Sequence, residues 1–135
     1  AHSLFWAKYY ATAPATIDLT TSTDMLPRVD GSVTGSWPRP TVTWSFQSTA
    51  PDADIAFARV DTWSIMGPGH PGTLRFPELP ADLVPTGAVE LKAIDVVDGA
   101  TEAGYAQAHL DPMQLLIDTD SRITSFGQPF AAILL

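Results

Sequence analysis

Two short Asp-x-Asp pairs, Asp52/Asp54 and Asp118/Asp120, are the residues whose type and spacing best suit chemistry. Hard carboxylate oxygens offered from one tight loop are what calcium takes. The full loop pattern of alternating Asp ending in Gly is absent, so the same pairs read equally as turn caps, because Asp side chains bond the backbone two residues on. Calcium is therefore the one cofactor the sequence suggests, beside a reading with none. Three histidines, His2, His70 and His109, offer little more. His109 and Asp111 stand two apart and would share a strand face, a metal-ligand spacing of low specificity. His70 lies in a Gly- and Pro-rich loop, "GPGHPG", and reads as solvated. His2 beside a free terminal amine could hold copper if Ala1 is the natural terminus.

Nucleophilic catalysis has no support in the sequence. There is no Gly-x-Ser-x-Gly elbow, no cysteine, and no Gly-rich loop leading into a helix to cradle phosphate. A set of aromatic residues, Trp6, Tyr9, Tyr10 and Trp37, fits a core less clearly than Trp44 and Trp63 do. Exposed together, the four would form a stacking face for carbohydrate or another small ligand.

Composition limits the partners. Seven Lys and Arg against fifteen Asp and Glu give a formal charge of −8. That is too few cations to neutralise a run of phosphates, so nucleic acid is not an expected partner. No run of about 20 apolar residues is present to span a membrane as a helix. Asn is absent, and Lys occurs only twice, a bias that fits a GC-rich bacterial genome. The chain begins at Ala1, which fits either a removed leader or a boundary within a longer protein. The length of 135 residues is that of one domain, 1–135, able to bury about two-thirds of its unfolded surface.

The elements that must position these residues are strands. Twelve Asp against three Glu, with fifteen Thr, twelve Pro and nine Gly, make a turn-rich all-β composition. Period-two alternation is clearest in Thr41–Phe46, where Val42, Trp44 and Phe46 share one face and Thr41, Thr43 and Ser45 the other. Further strands are expected at 3–10, 16–20, 73–76, 87–97, 105–110, 113–118, 122–126 and 130–135. Residues 54–66 read as one long strand with a bulge near Arg59–Asp61, since the apolar parity breaks there. Residues 80–84 suit a single helical turn. Turn chemistry appears at "VDGS" (29–32), "MGPGHPG" (66–72), "VDGATEAG" (97–104) and "DTDS" (118–121). Eight to ten strands at this spacing predict an antiparallel β-sandwich, with a small antiparallel β-barrel as the alternative.

From Thr41 to about Leu110 the order of signals resembles a fibronectin type III or related immunoglobulin-like domain. "VTWSF" places Trp44 in the second strand's core position, and "DTWSI" ends a third strand. "TLRFPELPADLVPTGAVELKAIDV" then resembles the passage through strand E and its crossing loop into strand F. The corner Tyr of that family has no counterpart, since Gly87 and Ala88 stand in its neighbourhood, and the chain carries extra N- and C-terminal segments. The resemblance implies a spacer, adhesive or partner-binding module. The apolar end segments "SLFWAKYY" and "FAAILL" are expected either to seal their own sandwich or to add a strand to a neighbour's sheet edge. The leading expectation is a non-enzymatic, extracytoplasmic structural or adhesive module that meets a protein partner or assembles with itself. A carbohydrate- or small-ligand-binding module is the second reading, and a small β-barrel enzyme with an unidentified site the third.

Overall fold

The computed structural model describes residues 2–8, 12–17, 25–49, 53–99 and 120–127. Among the described residues eight strands run in chain order: β1 (His2–Lys8), β2 (Val29–Thr34), β3 (Thr41–Phe46), β4 (Ile55–Val60), β5 (Trp63–Pro68), β6 (Thr73–Arg75), β7 (Leu91–Gly99) and β8 (Asp120–Gly127). They form two antiparallel sheets, of five strands in the order β1-β8-β7-β4-β5 and of three in the order β2-β3-β6. The fold is an all-β antiparallel sandwich. The helical turn expected at 80–84 is a 3-10 turn at Ala81–Leu83, and the described residues contain no α-helix.

The core between the sheets follows from the alternation. Val29, Val42, Trp44, Leu74 and Phe76 point in from the three-stranded side, and Ala56, Ala58, Val60, Ile94 and Val96 from the five-stranded side. The opposite face of the five-stranded sheet is buried as well. Ile55, Val97 and Ile123 cluster there with Phe57 and Met66, beside a buried Asp95 whose carboxylate accepts a hydrogen bond from the buried Ser125 hydroxyl. Both parities of β7 are therefore apolar, which explains the switch of apolar parity along Gly87–Val97.

Several expectations are corrected. Residues 54–66 are a hairpin, not one bulged strand: β4 and β5 pair from Ile55 with Pro68 to Val60 with Trp63. Asp61 opens the two-residue connection with φ 52°, a left-handed conformation that Asp tolerates better than most residues. The parity break at Arg59–Asp61 is thus mainly a reversal of chain direction, and the pairing with β7 does shift register between Arg59 and Val60. The "VDGS" at 29–32 is not a turn but lies within β2. Gly31 is there because the sheets approach closely: a Cβ on it would stand 2.2 Å from Ile94 Cδ1. In 97–104 and 118–121, Val97–Gly99 and Asp120–Ser121 likewise belong to strands. Thr16 and Ile17 are in no strand and are exposed. The strands expected at 105–110, 113–118 and 130–135 lie outside the described residues, as does His109.

Glycine is needed for a second reason at Gly127, where φ is 82° and a Cβ would lie 2.2 Å from the Lys92 carbonyl oxygen. That carbonyl is backbone and cannot swing away, whereas Ile94 Cδ1 beside Gly31 is the end of a side chain. Gly31→Ala should cost about 1–3 kcal/mol through overpacking. Gly127→Ala should cost more, since about 1–2 kcal/mol of left-handed strain adds to a backbone clash. Urea unfolding of the two variants beside the parent checks the order.

Candidate functional site

The outward face of the three-stranded sheet is built almost wholly of hydroxyl side chains. Strand pairing sets Ser32, Thr43 and Thr73 in one row and Thr34, Thr41 and Arg75 in the next, with Asp30 opposite Ser45. Ser32 Oγ and Thr43 Oγ1 are 3.0 Å apart and share a hydrogen bond. Directly opposed side chains on a sheet stand about 4.5–5.5 Å apart at Cβ, so the rows present a grid of donors and acceptors. A hollow of about 310 Å³ opens on this face, lined by Asp30, Gly31, Ser32, Thr43, Trp44 and Ser45.

Asp30 anchors the rim of the hollow. Its Oδ1 lies 2.8 Å from His2 Nε2, and its Oδ2 accepts a hydrogen bond from Gln47 Nε2 at 2.9 Å. His2 belongs to β1, Asp30 to β2, and Gln47 follows β3, so one exposed carboxylate joins both sheets. His2 also packs edge-on against Phe126 of β8, with centroids 5.6 Å apart. The Gln47 hydrogen bond, and after it the His2 contact, hold the Asp30 carboxyl below its ordinary value of 3.8.

At another corner, Asp61 Oδ2 accepts the Trp37 indole N–H at 2.8 Å and its Oδ1 the Glu90 backbone N–H at 3.1 Å. Asp61 N–H in turn donates to the Glu90 carbonyl at 2.9 Å. Asp54, buried at the start of the β4 hairpin, accepts the Gly99 N–H on Oδ2 at 2.8 Å. Asp98 Oδ2 accepts from Arg122 Nε at 3.1 Å and from a second guanidinium nitrogen. Each of these carboxylates joins a strand or turn to its neighbour.

The expected aromatic face divides. Trp37 is half-buried, bonded to Asp61, and packed edge-on against Phe76 at 5.4 Å. Trp6 is half-buried on β1 opposite Arg122. Tyr9 and Tyr10 lie outside the described residues. Of the expected calcium ligands, Asp54 spends one oxygen on the Gly99 amide. Asp120 opens β8 opposite Lys8, at the same end of the sheet, since Gly99 pairs with Ser121. Asp52 and Asp118 lie outside the described residues. Among the described residues no three His, Cys, Asp or Glu side chains form a metal-binding group, and no helix is long and apolar enough to cross a membrane. His70 is exposed, at the cis His70–Pro71 bond.

Sequence reading missed Asp30 and Gln47 and gave His2 only a terminal role. The Thr and Ser alternation of β3 was the visible signal for the polar face. The Asp30 corner had none, because its three members are far apart in sequence. Comparison with family models, curated proteins and solved structures returned no match.

Because the folded pKa of Asp30 lies below the unfolded one, its bonds add stability at pH values above the ordinary carboxylate range. That contribution fades as pH falls through the depressed value. In an NMR titration the Asp30 carboxyl should titrate below 3.8. Gln47→Ala should move its midpoint up more than His2→Ala does, because Gln47 contributes the larger share.

Proposed function

We propose that the chain is a non-enzymatic structural or adhesive module of the fibronectin type III and immunoglobulin kind, of bacterial origin and working outside the cytoplasm. The strand order carries this reading. Immunoglobulin-type sandwiches set strands A, B and E on one sheet against C, F and G on the other, with C′ beside C in the larger variants. Labelling β2, β3 and β6 as A, B and E, and β4, β5, β7 and β8 as C, C′, F and G, reproduces that order from the pairings here. Trp44 then falls on strand B in the core. Strand β1 is an addition beside G.

The spending of Asp54, Asp61, Asp95 and Asp98 on bonds between strands and turns supports a mechanical rather than a catalytic role. The test is accessibility: protease added to intact cells of the source organism should digest the protein. Full protection until lysis would overturn the reading.

A second reading, carbohydrate binding, is favoured by the hydroxyl face and its hollow at Asp30, Ser32, Thr43 and Ser45. Closely set hydroxyls and a carboxylate match the alternating donors and acceptors of a sugar. Any glycan bound by the parent protein in calorimetric titration should bind about tenfold or more weakly to the Ser32→Ala/Thr43→Val double variant, at about 0.5–1.5 kcal/mol per lost bond. Equal affinity, or no glycan bound at all, would remove this reading.

A further inference from the structure

We propose that β1 is an exchangeable strand, and that the partner of the β8 edge in an assembly is His2–Lys8 of a second copy of this chain. The proposal rests on the module reading and supplies its partner. Seven register pairs, from His2 with Phe126 to Lys8 with Asp120, hold β1 to β8. Among the described residues, the side-chain bond from His2 to Asp30 ties it to the other sheet.

Among the described side chains of β1, none belongs to either buried cluster, and Phe5 is 43% exposed. Removing β1 from the order leaves β8-β7-β4-β5 facing β2-β3-β6, a complete immunoglobulin-type arrangement by the labelling above. The edge it covers does need an occupant. Ser121, Ile123, Thr124 and Ser125 of β8 are all buried, and their unpaired backbone groups would invite any extended chain of suitable pattern. The segment that fits this edge in register is the chain's own His2–Lys8.

The tether permits either source. Residues 9–28 separate β1 from β2, and twenty residues reach about 66 Å when extended. The required path is far shorter. His2 touches Asp30 near the start of β2, and Lys8 lies six residues along the strand, about 20 Å away. Contacts in the exchanged and closed forms are the same, so concentration decides between them. A tether of twenty residues sets the effective concentration of the chain's own strand, on the order of millimolar. Exchange therefore becomes comparable near millimolar protein, a density that copies held side by side on a surface reach. Exchange of identical elements is a low-cost route to dimers.

The absence of cysteine makes the test clean. Differently tagged Lys8→Cys and Asp120→Cys chains are mixed, unfolded, refolded together and oxidised. Only exchange sets position 8 of one chain opposite position 120 of another. The expected result is a mixed disulfide dimer that grows from a trace at micromolar protein to about a quarter of the chains near millimolar, since about half the chains are then exchanged and about half of those dimers pair unlike variants. It should exceed by several-fold the background from Lys8→Cys mixed with Thr86→Cys. The unsubstituted chain, refolded at millimolar concentration and diluted, should show a dimer by light scattering. Mixed disulfide no higher than background, or an unsubstituted chain that is monomeric throughout, overturns the proposal. Either result leaves the module reading untouched, since that stands on surface accessibility.

Discussion

The close approach of the two sheets is the constraint on which the rest depends. At one crossing Gly31 of β2 faces Ile94 of β7, and at another Gly67 of β5 faces Leu74 of β6, where a Cβ would stand 2.1 Å from Leu74 Cδ2. Small residues on one sheet thus receive large ones from the other, as the dense packing of protein interiors requires. Ala56 and Ala58 share the same buried cluster as Trp44 and Phe76. This interlock sets which parity of each strand faces inward. It thereby sends Asp30, Ser32, Thr43 and Ser45 outward to form the hydroxyl face.

Much of the architecture was legible because alternation is a local signal. Thr41–Phe46 is β3 as read, Leu74 and Phe76 are buried with Arg75 exposed between them, and Trp44 is in the core. The errors came where one residue type serves two purposes. Asp-Gly at Asp30–Gly31 carries the chemistry of a hairpin turn, yet Gly31 answers a steric demand from β7, a partner more than sixty residues away. At Asp61 a turn without glycine was read as a bulge, because the reversal uses an Asp in a left-handed conformation. The candidate site was less legible than the fold. His2, Asp30 and Gln47 meet only once both sheets are in place.

The carboxylates show how an acidic β chain can use its charge internally. Asp61 gathers an indole and a backbone amide at one corner, and Asp30 gathers an imidazole and an amide side chain at another. Asp54 reaches Gly99, and Asp98 pairs with Arg122. Bonds to a charged acceptor are stronger than neutral ones. Those at exposed corners are worth less than those that are buried, because water competes for the same oxygens.

The pairing of β1 with β8 has a consequence for how the polypeptide is made. Lys8 meets Asp120, 112 positions later in the chain (120 − 8 = 112), and His2 meets Phe126. At about 5–20 residues per second, a ribosome needs about 6–22 s to deliver the mate of the first strand. Through that interval the nascent "HSLFWAK" has no β8 ladder to pair with. On a crowded polysome, the strands of neighbouring nascent chains wait beside one another for edges that have not yet been translated.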